Sequence, residues 1–180
     1  YCRRLLKRRF LSVAECAHAL QFDYTDQVDV LNVQLPNISR LIALAQEDAI
    51  LLPRPPTELT LIDLFDNQRC APYLRLVQSK LANGTADSRR LYDTVLNEEI
   101  ASGGWLSIRS QAVEGSYNLN VVDQIALLSK RTEYLPSLSE AIYAIVAFRV
   151  VTGNNLFENN YVRVGSTSIY HQHFHVGLFQ

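Results

Sequence analysis

The sequence predicts an α+β fold in which a helical N-terminal half packs on a small antiparallel sheet, with one buried helix in the C-terminal half. The chain has 180 residues, of which 48% are hydrophobic and 19% are charged, and such a chain can bury the core of one ordinary domain. Helical spacing of apolar residues dominates the N-terminal half. The C-terminal half combines strand-like segments with one segment that is apolar nearly all round, which is typical of a buried helix.

The first predicted elements are a short helix and a strand. Ser12 and Glu15 are three positions apart, as in a capping box, and this spacing predicts a helix that runs to about Leu20. The segment 27–35 alternates apolar and polar residues, which predicts a half-buried strand. Pro36 would end that strand, because proline has no N–H to donate.

Three further helices are predicted up to residue 101. Apolar residues at helical spacing follow residue 38, a helix over 72–82 would end at Asn83-Gly84, and the pattern over 86–101 is amphipathic. Three prolines within 53–56 break the chain between these helices, in a segment that looks exposed.

The glycine pair Gly103-Gly104 marks a soft domain boundary. It would divide a mostly helical region of unknown role, 1–104, from an α+β region, 105–180, although the chain could equally form a single domain overall. In the second region a capping box of Ser137 and Glu140 predicts a buried helix that ends near Gly153. Strands are predicted over 105–109, 117–123 and 124–129, or one bent strand in their place. Further strands are predicted over 161–164 and 168–179, with a turn at 165–167.

Composition excludes several classes of protein. The net charge is −1, so the chain is not a general nucleic-acid or membrane binder. No apolar run reaches the ~18 residues that cross a bilayer. The three cysteines lack the CxxC spacing of a disulfide scaffold or zinc site, which favours a reducing compartment, and we expect an intracellular, cytoplasmic location. We expect no cofactor. The chain also lacks methionine, so we expect a processed product or a piece of a longer protein.

Three of the four histidines alternate within five residues near the C-terminus, as His171, His173 and His175. On a strand they would share one face at steps of ~7 Å. Imidazole has a pKa near 6.5, so such a row could hold both a neutral nucleophile and protonated partners at neutral pH.

A metal site, a nuclease site and a surface without chemistry are three interpretations of this row, and a fourth comes from a family resemblance. Two neighbouring imidazoles could bind Zn²⁺ at ~2.0–2.1 Å, with a further ligand from elsewhere. His173 and His175 could instead be the histidine pair of a rolling-circle nuclease, which would need a catalytic tyrosine. Alternatively, the three side chains simply line a solvated or interface face of an edge strand, without any chemistry.

The segment from Ser168 to Val176 resembles the signature of the histidine-triad superfamily of nucleotide hydrolases and transferases. That signature is His-x-His-x-His after a Ser/Thr-hydrophobic-x lead-in, on the last long strand. The order of elements is also similar, because a strand before the basic pair Lys130-Arg131, a helix, a strand and a glycine-containing turn precede the triad here. The resemblance covers about residues 105–180.

The resemblance implies a nucleotide or another phosphate-containing substrate and no metal ion. His173 would attack the α-phosphorus and form a nucleotidyl-histidine intermediate, while His171 and His175 would orient it or protonate the leaving group. The phosphoryl oxygens would be held by four neighbouring residues and by one basic side chain one strand back, which are Gly165, Ser166, Thr167, Ser168 and Arg163.

Two further features suggest macromolecular partners. The basic N-terminus could contact RNA, DNA or an acidic protein, or could be the solvated face of a helix with Leu5, Leu6 and Phe10 beneath; its residues are Arg3, Arg4, Lys7, Arg8 and Arg9. A non-catalytic coat, shell or scaffold subunit is the alternative to an enzyme. Nine tyrosines and the high apolar fraction favour a homo-oligomer or larger assembly.

Overall fold

The computed structural model describes residues 1–74, 96–131, 133–157, 161–167 and 173–177. Over these residues the chain has the α+β fold that the sequence predicts, with three antiparallel strand pairs. The helices are α1 (Cys2–Leu6), a 3₁₀-helix (Lys7–Arg9), α2 (Val13–Leu20), α3 (Val28–Val33), α4 (Ile38–Gln46), α5 (Leu61–Asp66), α6 (Val121–Ser129) and α7 (Leu138–Thr152). The strands are β1 (Ala49–Pro53), β2 (Leu59–Thr60), β3 (Glu99–Ile100), β4 (Trp105–Arg109), β5 (Tyr161–Thr167) and β6 (His173–Gly177).

Strand β1 is buried on both faces. Ile50 and Leu52 pack in the main core, whereas Ala49 and Leu51 pack in a smaller cluster with residues of α1 and α4. Side chains alternate along a strand, so the four residues are divided between the two clusters. β1 pairs antiparallel with β4, and β4 is confirmed at its predicted position, 105–109.

Residues from both sides of Gly103-Gly104 build the main core. The β1–β4 pair joins the two predicted regions directly. Next to it, the amide of Gly103 donates to the carbonyl of Pro55 and the amide of Arg54 donates to the carbonyl of Gly104, both at 3.0 Å. Both glycines have a positive φ, 70° and 73°, a conformation that glycine adopts without the steric cost of a side chain.

Helix α7 is the buried helix that the sequence predicts. The Ser137 side chain accepts a hydrogen bond from the backbone of Glu140, and the Glu140 carboxylate accepts from the amide of Ser137 at 3.1 Å. Gly153 ends the helix in the left-handed conformation. The eleven residues 138–148 are all buried, because α7 contacts α2, α5, β3 and the β5–β6 pair.

A nearly buried ion pair ties the proline segment to the start of α7. Nη2 of Arg54 lies 2.7 Å from Oε1 of Glu140, and the two side chains are 16% and 12% exposed. Two tyrosines reinforce the junction. The Tyr143 hydroxyl donates to the Pro53 carbonyl at 2.7 Å, and the Tyr24 hydroxyl donates to the Arg54 carbonyl at 3.0 Å. Pro53 is accordingly buried, so the prediction of an exposed proline segment is wrong there.

Three predicted strand segments contain helix in the structure. The segment 27–35 contains α3, in which Leu31 is the one fully buried residue. The valines of this segment do not form a buried face, since Val30 and Val33 are 53% and 86% exposed. The segments 117–123 and 124–129 contain α6, which begins where the Asn120 side chain accepts from the amide of Asp123 at 3.0 Å. The N-cap sets a helix where the apolar run alone favoured a strand.

The other predicted helices have mixed outcomes. The helix that begins with the Ser12 and Glu15 capping box is confirmed as α2, and the helix after residue 38 is confirmed as α4. The first residues of the predicted helix 72–82 are helical to 74, and its remainder lies outside the described residues. The predicted helix 86–101 is wrong at its C-terminal end, because β3 is extended and pairs with β2.

Candidate functional site

The candidate site lies on the antiparallel pair of β5 and β6. Arg163 is opposite His175 in the register, and Thr167 is opposite His173. The register shifts between these two pairs, as it does at a β-bulge. Positions 173 and 175 are two apart in an extended strand and therefore belong to the same face of β6.

The structure corrects one element of the site. Residues 165–167, predicted as a turn, continue strand β5, so β5 is longer than the predicted strand over 161–164. The predicted strand 168–179 is confirmed for 173–177. Ser168 and His171 lie outside the described residues.

Gly165 lies against the segment that precedes α7. Its amide donates to the carbonyl of Pro136 at 2.7 Å. A Cβ atom at this position would lie 3.3 Å from the carbonyl oxygen of Leu135, which is tighter than ordinary van der Waals contact. The absence of a side chain at Gly165 therefore lets β5 lie close to the backbone of Leu135 and Pro136. The Gly165 amide already has a hydrogen-bond acceptor, the carbonyl of Pro136.

Arg163 is held in place by the neighbouring loop and helix. Its Nη1 donates to Oε1 of Gln124 at 2.9 Å and to the carbonyl of Leu119 at 3.3 Å. Nε2 of Gln124 in turn donates to the carbonyl of Ser116 at 2.9 Å. This chain of hydrogen bonds fixes the guanidinium between β5 and α6.

A cavity of about 500 Å³ adjoins Arg163, and we call it the Arg163 cavity. Apolar side chains of the β1–β4 pair and of α6 form part of its wall, including Leu106, Ile108 and Leu128. Arg109 and Glu133 line it as an ion pair, with Nη2 of Arg109 2.6 Å from Oε1 of Glu133. The hydrogen bonds to Glu133 raise the pKa of Arg109 above its ordinary value.

Two described cysteines, Cys16 and Cys70, lie in surroundings that disfavour the thiolate. Burial raises the pKa of the Cys16 and Cys70 thiols to about 12, and the thiolate is the reactive form of cysteine. The Cys16 side chain is fully buried. Within the described part of the chain, no three histidine, cysteine or acidic side chains gather as a metal site requires.

The basic N-terminus forms α1 and the 3₁₀-helix, with Leu6 fully buried beneath. Arg3 pairs with Glu15, and Nη1 of Arg9 lies 2.6 Å from Oδ1 of Asp48. Arg4, Lys7 and Arg8 are exposed. Contact of these residues with nucleic acid stays a prediction. None of the helices described is both long and apolar enough to cross a membrane.

No family model, curated protein or solved structure matches this chain. Any function of this chain must therefore be inferred from its own residues and their geometry. Gln124, which accepts from Arg163, and the ion pair of Arg109 and Glu133, which lines the same cavity, were not among the site residues predicted from the sequence. No local pattern could have found them, because Gln124 is 39 positions from Arg163.

Proposed function

We propose that the chain is a nucleotide hydrolase or nucleotidyl transferase with His173 as its nucleophile. The register of the β5–β6 pair is the single observation that carries this proposal. It sets two histidine positions on one face of an extended strand and sets a basic residue, Arg163, directly opposite His175. The resemblance of the motif to the histidine-triad signature gives these positions their roles.

The proposed reaction has two steps. A nitrogen of His173 attacks the α-phosphorus, a P–N bond forms, and the P–O bond to the leaving group breaks. His171 or His175 gives its proton to the departing oxygen. Water or phosphate then attacks the same phosphorus and releases the nucleotide, which restores the imidazole of His173.

The charge that develops on the phosphoryl oxygens needs fixed donors. Arg163 supplies a cation on the adjacent strand, held by Gln124 and Leu119. Because the amide of Gly165 already donates to Pro136, the backbone and hydroxyl donors of this proposal are those of 166–168.

Trapping of the covalent intermediate tests this function. We expect the protein to release p-nitrophenolate from adenosine 5′-(p-nitrophenyl) phosphate and, after rapid denaturation, to show a mass increase of one adenylyl group. The label is acid-labile, as a P–N bond requires. His173→Ala is expected to abolish both the release and the label. His18→Ala is the matched control, since His18 is an exposed histidine on α2, and it should behave as the wild type.

Absence of p-nitrophenolate release from the folded wild type would overturn the proposal. A label that persists in the folded His173→Ala variant would overturn the role of His173. Circular dichroism of both variants establishes that they are folded.

One observation favours the assembly subunit as a second candidate. The consecutive helices α3 and α4 expose five large apolar side chains, which are Val28 (38%), Val30 (53%), Val33 (86%), Ile38 (52%) and Ile42 (43%). Exposed apolar residues in such number on consecutive elements favour an interaction surface. We call these five residues the α3–α4 patch.

The α3–α4 patch predicts that the protein self-associates and that a charged side chain introduced into the patch prevents this. We expect sedimentation velocity to show oligomers of the wild type at micromolar concentration, and Val33→Asp to shift them to monomers. Val122→Asp is the control, because Val122 is 74% exposed on α6, outside the patch. A wild type that is monomeric at all concentrations, or an equal effect of both variants, would contradict this candidate.

A further inference from the structure

The Arg163 cavity has the size and the wall of a small-molecule site. Its volume of about 500 Å³ lies within the ~300–1,000 Å³ that is usual for ligand cavities. Much of the wall is apolar, since Leu44, Leu106 and Phe157 line it and are only 2%, 2% and 6% exposed. These residues belong to the two packed clusters of the fold, so the wall is formed before any ligand arrives.

The carboxylates in the wall already pair with arginines. Glu133 accepts from Nε and Nη2 of Arg109 at 3.2 and 2.6 Å. Oε1 of Glu47 lies 3.4 Å from Nη2 of Arg109, and its Oε2 lies 3.6 Å from Nη1 of Arg40. A cationic ligand would have to displace a guanidinium group from one of these carboxylates.

The arginines in the wall also have partners. Arg40 and Arg109 contact the two carboxylates, and Arg163 donates to Oε1 of Gln124 and to the carbonyl of Leu119. An anionic ligand would lose its hydration and would meet guanidinium groups that already have acceptors. Removing a charge from water without a new partner is costly. The wall therefore favours a ligand that carries no charge.

We infer that the Arg163 cavity binds an uncharged, compact and largely apolar organic molecule. The molecule lies against the apolar side chains of Leu106, Ile108 and Leu128. Removal of apolar surface from water supplies its affinity. This inference goes beyond the proposed function, because the site needs none of the three histidines and no charged group of the ligand.

Calorimetric titration of the full chain with three matched probes tests the inference. The probes share a naphthalene ring and differ in charge, as 2-naphthoate, 2-naphthalenemethanol and 2-naphthylmethylamine. We expect the alcohol to bind at least about tenfold more tightly than either of the other two, because each charged probe loses hydration without gaining an unpaired partner. This comparison uses the wild type and needs no variant.

A change of charge in the wall tests the cause of this preference. Glu133→Gln removes a carboxylate from Arg109, so we expect it to tighten binding of 2-naphthoate about tenfold and to leave binding of the alcohol unchanged. Glu114→Gln is the matched control, because Glu114 is an exposed glutamate between β4 and α6 and is not part of the wall. It should change neither affinity.

A second pair of variants locates the site. Val113→Trp introduces a large ring at a half-buried position of the wall and should weaken binding of the alcohol about tenfold. Val122→Trp introduces the same ring at an exposed position of α6, outside the wall, and should leave binding unchanged. Circular dichroism checks the fold of each variant.

Binding of either charged probe to the wild type as tightly as the alcohol, or no binding of the alcohol at millimolar concentration, would overturn the inference. Unchanged binding of the alcohol by folded Val113→Trp would overturn its place in this cavity. Unchanged binding of 2-naphthoate by folded Glu133→Gln would overturn the explanation by paired charges. The result is independent of the proposed reaction, because His173→Ala is expected to bind the alcohol as the wild type does.

Discussion

Replacement of Glu140 by alanine is expected to lower the free energy of unfolding by about 3 kcal/mol. The side chain has two roles, as the carboxylate of the capping box of α7 and as the ion-pair partner of Arg54. Removing one member of a buried pair leaves the other charge desolvated, which costs ~3–5 kcal/mol. We take the lower end because both side chains retain some exposure.

Arg54 would then have few other partners. Its Nη2 also donates to the Tyr134 hydroxyl at 3.3 Å. Nη1 is buried and has no hydrogen-bond partner among the described residues. The measurement is urea unfolding followed by circular dichroism, and a loss appears as a lower midpoint at constant slope.

The chain contains a matched control for this experiment. Glu15 has the same position in the capping box of α2, but its ion pair with Arg3 is exposed, with side-chain exposures of 40% and 50%. Glu15→Ala is expected to cost only about 1 kcal/mol, the typical value of a helix cap. Equal losses for the two variants would show that burial of the Arg54 pair contributes nothing.

Leu51→Ala and Leu52→Ala are each expected to cost about 2–5 kcal/mol, the usual range for a buried leucine. The two side chains point to opposite faces of β1, into the smaller cluster and the main core. In a strand with one solvated face, one of the two changes would be tolerated. The same urea titration measures both variants.

Val33→Ala is the control for these leucine variants, because Val33 is 86% exposed. Its effect should stay within about 0.5 kcal/mol, as for most surface substitutions. A cost for Leu51→Ala that is no larger than this control would mean that the smaller cluster does not stabilise the fold.

Elements with a marked beginning and end could be predicted from the sequence. The helix after Ser137 is apolar nearly all round and is bounded by a capping box and by Gly153, so its type and its limits were both clear. Local hydrogen bonds to side chains set such limits, and they depend only on neighbours in the sequence.

Short apolar segments were ambiguous, because burial and not local pattern decides their structure. The alternating valines of 27–35 suggested an inward face of a strand, yet tertiary packing buries Leu31 and leaves Val33 in solvent. The run 49–52 could not be assigned at all from its composition. A continuous apolar run of this length suits both a buried strand and a helix segment.

The candidate site was predictable only in part. The alternation of histidines indicated an extended backbone, which is confirmed at His173 and His175. The partners of Arg163 come from α6 and the loop before it, which the sequence assigned to strands. Contacts between residues 39 or more positions apart follow from the fold, and no single-sequence pattern specifies them.

The close approach at Gly165 has a consequence for how this sequence can diverge. A methyl group there would press on the Leu135 carbonyl, so the backbone before α7 would have to yield by a few tenths of an ångström. Substitution at 165 is therefore tied to compensating change at 135–136. In any homologous chain, we expect a residue other than glycine at position 165 to occur together with changes at 135–136. Otherwise we expect glycine to be retained at 165 while the neighbouring surface residues differ.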